Sequence, residues 1–267
     1  VLKNHVVKCI QQDSSLCTVI CRNGSKFSAK RVIVALSPTL YDTIEFIPDL
    51  PAAKKSFANG YQMGTIIKTA VFYKTPWWRE NGFAGCVLND EGPVYYSMDD
   101  CKPDGSYPAL MGFILSSHCK KWMEKPEEER KAAVIAQYAK QFGCAEALEP
   151  VAYMEKNWNA EEFSSGCYCD MPTIGSTAKH GHETWSTFSN IHFAGTELAT
   201  EWTGYMDGAV QSGERAAGEV LESIQPGYKY VPYNEVVPED IPIRPIGPFW
   251  YDRALAYFWR FARNFVL

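Results

Sequence analysis

The chain has 267 residues, 46% of them hydrophobic and 21% charged, which is ordinary globular usage and excludes a collagen-like, coiled-coil or disordered chain. Its 26 basic and 31 acidic residues leave a formal charge of −5, so no electrostatic footprint for nucleic acid is present. Nine cysteines, an odd number without the close spacing of a small secreted scaffold, read as free or chemically occupied thiols in a reducing compartment.

The chain opens on Val1 with no charged-then-apolar leader, so no signal peptide is expected, and the sequence reads as a piece of something longer. The runs Cys17 to Cys21 and Arg31 to Leu36 flank Asn23-Gly24, a strong hairpin signal, and Ser37-Pro38 ends the second run. Asn23-Gly24-Ser25 is formally a glycosylation sequon as well, but a tight turn accounts for it. Thr65 to Tyr73 is β-rich and puts Ile66, Lys68, Ala70 and Phe72 on one face, a lysine in an apolar row. Pro126 followed by Glu127, Glu128 and Glu129 starts a helix, because proline presets φ and the acids complement the dipole. Val134, Tyr138 and Phe142 form its apolar stripe, and Gly143 ends it.

After a short apolar segment at 191–194, a second helix is predicted over 204–222. Its stripe is Met206, Ala209/Val210, Gly213, Ala216/Ala217 and Val220/Leu221. Strands interleaved with helices predict an α/β or mixed α+β fold. Residues 223–248 read as an extended linker. Within the aromatic segment 249–267, Arg253, Arg260 and Arg263 share one helical arc. No apolar run reaches the ~18 residues of a spanning helix, so this segment is expected to lie on a membrane surface. An aromatic helix packed on the protein's own substrate domain is the competing reading.

The densest stretch is Ile191 to Glu197 followed by Trp202 to Val210: a strand, a loop with a carboxylate, and a glycine-opened helix with an aromatic at its mouth. Free N–H groups and the positive helix end there suit an anion, carbonyl or phosphate. A strand-to-helix connection packed with small residues fits the local pattern as well.

Phe193-Ala194-Gly195-Thr196-Glu197, with Gly204-Tyr205-Met206-Asp207-Gly208 and the following Ala209 to Ala217, resembles the C-terminal flavin motif of the flavin-containing monoamine oxidase family. Asn157-Trp158 and Ser165-Gly166-Cys167-Tyr168 resemble that family's flavin-attachment segment, and Met63 to Lys68 and Leu110 to Leu115 also match. The similarity runs in order over roughly residues 1–223. It implies a partial FAD-binding domain in 1–57 and 161–223 and a mixed-sheet substrate domain in 58–160; composition and the arginine arc add an extended tail with an amphipathic helix in 224–267.

The resemblance also implies roles. Cys167 carries FAD covalently through its sulfur, which needs a thiolate; taken alone, it is a small buried hydrophobe. Tyr168 and Tyr205 form an aromatic cage facing the flavin, Lys68 holds a water against it, and Trp158 packs near that lysine. Val7 contacts the adenine half, and Gly195, Thr196, Glu197 and Met206 lie nearer the flavin and its ribityl chain. Tyr96 and Phe113 line the substrate cavity, although each is equally credible as a core aromatic. No metal is implied: Cys167-x-Cys169 with His180-x-His182 fits no common zinc framework.

The implied reaction turns a primary amine, O2 and water into aldehyde, ammonia and H2O2, on the cytosolic face of the mitochondrial outer membrane. A homodimer is compatible with the family. Alternatives are a polyamine or amino-acid oxidase on the same scaffold, or a non-catalytic remnant acting as an interaction module. Leu198, Glu201 and Met171-Pro172-Thr173-Ile174 depart from the family pattern. No Gly-x-Gly-x-x-Gly occurs, so the ADP-binding unit of the family is missing, and the chain alone is expected to hold FAD poorly and turn over little amine.

Overall fold

Cysteine and β-branched residues alternating with polar ones build the first sheet. In the computed structural model, which describes residues 1–225 and 227–231, β1 (Val7–Gln12), β2 (Cys17–Cys21) and β3 (Lys26–Ala29) form an antiparallel meander. β4 (Val32–Ala35) leaves it, and β5 (Glu45–Ile47) returns to pair with β1 in parallel. Asn23-Gly24 does turn the chain, but the strand paired with β2 is β3, not the expected 31–36 run. Instead β4 pairs in parallel with residues 191–194, Val32 opposite Ile191. The reason is patterning: β4 is apolar at every position, which suits a parallel pair, whereas every residue of β3 is exposed and suits an edge.

Helix α1 (Ala52–Ala58) and β6 (Tyr61–Met63) lead into β7 (Ile66–Phe72), the strand expected at 65–73. After α2 (Trp77–Glu80) come β8 (Val87–Leu88), β9 (Tyr96–Asp99) and β10 (Ala109–Leu115), then α3 (Ser116–Met123) and α4 (Glu127–Phe142), and β11 (Ala152–Asn157). The five strands make one antiparallel sheet in the order β11-β7-β10-β9-β8. Ile67, Val71, Leu110 and Ile114 on one face pack against Val134, Tyr138 and Phe142 of α4, with Trp77 and Trp78 at the side. Among the described residues this is the largest buried apolar cluster. α4 begins after Pro126 and ends at Gly143, whose φ of +65° is a left-handed cap, as the sequence predicts. The opposite face carries a smaller cluster of Ile66, Met111 and Phe113 and stays partly open.

β12 (Asp170–Pro172) pairs with β6, α5 (Ser176–His180) follows, and β13 (Ile191–Ala194) completes the pair with β4. Of the predicted stripe of the last helix, α6 (Met206–Ile224), only Ala216 is fully buried. Gly208, Ser212 and Ala216 face inward and Gly218 is covered by Tyr230, while Met206 is 87% exposed and Val210 61%. Small residues let the helix approach β13 and the 196–198 turn closely, and Ser212 Oγ accepts a bond from the Gly195 N–H at 3.0 Å. Apolar side chains are thereby left on the outer face.

Residues Val1–Tyr230 form one compact unit. The readings of a linker beyond 231 and of a helix in 249–267 lie outside the described residues. Among the described residues no helix is long and apolar enough to cross a membrane.

Candidate functional site

The strand register of the open sheet face assembles the first part of the site. Phe113 on β10 stands opposite both Lys68 on β7 and Tyr96 on β9. The Tyr96 and Phe113 rings stack at 6.1 Å and 16°, and Tyr168 tilts against Phe113 at 6.0 Å. Lys68 Nζ lies 6.0 Å from the Phe113 ring centre. Lys68 is exposed and has no ion pair or side-chain hydrogen bond among the described residues, so its place in an apolar row is resolved by the row being open there. On β11, Lys156 stands opposite Lys68, paired to Glu161 and 5.8 Å from the Trp158 ring.

The segment holding Cys167 is fastened mostly through backbone. Cys167 N–H donates to Gly64 O at 3.0 Å, and Gly64 N–H donates to Cys169 O at 3.3 Å. A Cβ on Gly64 would lie 2.1 Å from Cys167 O, so only glycine permits this approach. Asn159 braces both sides: its Oδ1 accepts from Ile66 N–H at 3.1 Å, and its Nδ2 donates to Gly64 O and Ser165 O at 3.3 Å each. Cys167 lines a cleft of about 560 Å³ with Met63, Ile66, Leu115, Tyr168 and Cys169. Burial pushes the Cys167 thiol up from its ordinary pKa, Cys169 adds to this, and Lys68 opposes it.

The third part is the mouth of α6. Tyr205 occupies the helix N-cap, and Thr196 Oγ1 binds it in place, accepting from Gly204 N–H at 2.7 Å and donating to Tyr205 O at 2.8 Å. Trp202 packs edge-on to Tyr205 at 5.8 Å. Gly204 lies against Cys169, since a Cβ there would be 3.1 Å from its sulfur. The helix mouth is thus joined to the Cys167 segment through Cys169, not by contact between the Tyr168 and Tyr205 rings. Glu197 is buried; its Oε1 accepts from Asp170 N–H at 3.3 Å and lies 2.9 Å from Ser37 Oγ, whose hydroxyl proton serves the nearer Asp170 carboxylate.

Lys68, Tyr96, Phe113, Tyr168 and Cys167 therefore converge, and Gly195, Thr196, Glu197, Tyr205 and Met206 gather at the adjoining helix end. Trp158 opens the turn after β11, at the edge of that face. Val7 sits apart, lining a second cavity of about 600 Å³ with His5, Ile10, Val34 and Leu36. Sequence reasoning missed Asn159, Asp170, Ser37 and Thr39, which carry no motif of their own. A flat cofactor fits what is present: Tyr168 is 66% exposed, Tyr205 65% and Met206 87%, an apolar and aromatic surface around a helix start with free N–H groups. Among the described residues no three His, Cys, Asp or Glu side chains are grouped to hold a metal ion.

The family described as "Flavin containing amine oxidoreductase" matches residues 1–221. Amine oxidase [flavin-containing] A of Bos taurus is 39% identical over 249 residues, covering 92% of the chain and 47% of that protein. Amine oxidase [flavin-containing] B of Homo sapiens is 41% identical over 240 residues, covering 87% and 45%. The chain thus spans about half the length of the curated relatives it matches. Among solved structures, a wild-type putrescine oxidase bound to putrescine superposes with a TM-score of 0.76 at 30% identity, over 82% of this chain and 48% of that one. Cyclohexylamine oxidase from Brevibacterium oxydans gives 0.74 at 29%, over 81% and 48%.

Proposed function

The chain belongs to the flavin-containing amine oxidoreductase family, and from that premise we propose that it is the central and C-terminal part of an FAD-dependent oxidase of primary amines. The net reaction converts amine, O2 and water to aldehyde, ammonia and H2O2. The observation that carries this reading is the convergence of Lys68, Tyr96, Phe113 and Tyr168 beside Cys167, next to the mouth of α6. Bound FAD supplies the two-electron acceptor chemistry.

The chain's own residues do the rest. Cys167 is the covalent anchor, which requires the deprotonated sulfur that burial disfavours and Lys68 favours. Tyr168 and Tyr205 form the walls of an apolar slot that strips water from the amine. Tyr96 and Phe113 extend that wall as a stacked pair. Lys68 holds a water in the open row, and Trp158 shapes its edge. Met206 N–H, at the positive end of α6, faces developing negative charge, while Gly195, Thr196 and Glu197 shape the loop beneath and Val7 serves the distant adenine end.

A monoamine is favoured over a polyamine because the charged side chains in the Phe113 row, Lys68 and Lys156, are both cationic. An amino-acid oxidase would need an arginine there. Residence at the mitochondrial outer membrane, facing the cytosol, belongs to the same proposal, as do homodimer formation and a membrane contact through 249–267. Liposome co-sedimentation with and without 249–267 tests that contact, and unchanged lipid binding on deletion refutes it.

The deciding experiment is mass spectrometry of the Cys167 peptide from flavin-loaded protein. Added flavin mass is expected; an unmodified thiol sinks the anchor. Amine-dependent peroxide production separates an oxidase from a non-catalytic remnant.

A further inference from the structure

Asp170 opens β12 directly after Cys167-Tyr168-Cys169 and is 1% exposed. Its Oδ2 accepts three bonds, from Ser37 Oγ at 2.7 Å, Thr39 Oγ1 at 2.8 Å and Thr39 N–H at 2.9 Å. Its own N–H donates to Glu197 Oε1, which also contacts Ser37 Oγ. On the strand side it stands opposite Met63, one residue before the Gly64 that touches Cys167. Its Oδ1 is buried without a partner among the described residues. One residue therefore ties together the loop after β4, the segment carrying Cys167 and the turn after β13.

Burying a carboxylate is costly even when donors surround it, and an apolar side chain would hold a strand at least as well. What three donors on one oxygen supply is direction: they fix where the backbone of residue 170 lies relative to Ser37 and Thr39. Upstream, Cys167 and Cys169 are held by backbone bonds to Gly64, and Asn159 Nδ2 binds Ser165 O. These ties all run to β6, its following turn and the turn after β11; the Asp170 carboxylate adds the anchor on the other side, to Ser37 and Thr39.

We propose that Asp170 is the positioning residue of the Cys167-Tyr168 segment, setting the sulfur for covalent attachment of the flavin and the Tyr168 ring for the amine. The attachment half of this inference rests on the function proposed above.

The test compares wild type, Asp170→Ala and Asp170→Asn, reading the fraction of bound flavin that stays on the polypeptide after acid precipitation. Asp170→Ala is expected to lower that fraction about tenfold or more per bound flavin, the scale of a misplaced reactive group. Asp170→Asn keeps an acceptor for Thr39 and Ser37 and is expected to restore most of it. Mere loss of stability would reduce total flavin and leave the fraction per bound flavin alone. Thr39→Val, which removes one donor without touching the strand, is expected to fall between and serves if Asp170→Ala does not fold. In the flavin-free chain, Asp170→Ala should raise alkylation of Cys167 about tenfold relative to exposed, remote Cys86. Covalent fraction and alkylation both at wild-type values overturn the proposal. Wild-type protein lacking covalent flavin would sink the anchor instead, and the alkylation rates would still decide the role of Asp170.

Discussion

Gly64 and Cys167 meet backbone to backbone: a Cβ on Gly64 would stand 2.1 Å from the Cys167 carbonyl oxygen and 2.9 Å from its carbonyl carbon. The turn between β6 and β7 and the segment carrying Cys167 are thus one packed unit, although about a hundred residues of chain separate them.

Gly64→Ala tests that contact. Neither partner is a flexible side-chain end, so the backbone must move, at a cost of about 1–3 kcal/mol. A lowered urea midpoint is expected, with faster alkylation of Cys167. A midpoint equal to wild type would mean the segment yields freely.

Lys54 gives a pH signature. It is 1% exposed, donates to Glu183 O at 2.8 Å and Ser186 O at 3.0 Å, and lies 4.3 Å from the Phe193 ring centre and 5.0 Å from that of Phe57. Burial lowers its pKa from 10.5 to about 8, against an opposing pull from Glu183. Because the folded value is depressed, the charged form costs stability below pH 8. Between pH 8 and 10.5 the folded state sheds a proton that the unfolded state keeps, and stability from this group rises, by on the order of 3 kcal/mol in all. Urea unfolding of wild type and Lys54→Met at pH 7.5 and 10 isolates the effect, since other titrating groups are common to both. The difference between the two proteins should grow in favour of wild type as pH rises; a constant difference refutes the assignment.

Arg130 and Glu155 form a buried pair, their side chains 11% and 5% exposed, with Tyr153 Oη donating to Glu155 at 2.8 Å. Glu155→Ala strands a buried guanidinium and is expected to cost about 3–5 kcal/mol. Arg130→Met combined with Glu155→Leu should recover much of that loss in the same urea titration. A double variant as weak as the single one would show that the charges, not the burial, carry the stability.

In the flavin-loaded enzyme, Lys68→Met is expected to slow reoxidation by O2 about tenfold or more while leaving anaerobic reduction by amine less affected. Stopped-flow measurement of both half-reactions decides. Equal losses in the two would make Lys68 a structural residue of the sheet face.

Local chemistry was enough to read several elements from the chain itself. Pro126, three glutamates and Gly143 delimit α4, because capping and dipole effects act within one turn. The apolar alternation of β7 and the run at β13 likewise needed only their own residues. The family motifs around Cys167, Gly195 and Gly204 were legible for the same reason: each is a short stretch whose residue types answer one local demand.

What tertiary structure alone decided are the partnerships. The sequence paired 17–21 with 31–36 by proximity, yet β4 joins β13 in parallel, about 160 residues away; an all-apolar strand suits such a pair, but nothing local names the partner. Periodicity assigned Met206, Val210 and Ala216 to the core face of α6, but helix hydropathy does not say how near a neighbour comes, and close approach to β13 kept Ala216 and put Gly208 and Ser212 in place of Met206 and Val210. Asp170 carried no signal at all. A carboxylate acquires its role only when Ser37 and Thr39, more than a hundred residues upstream, are folded against it, and no local pattern records a hydrogen bond whose two ends are that far apart.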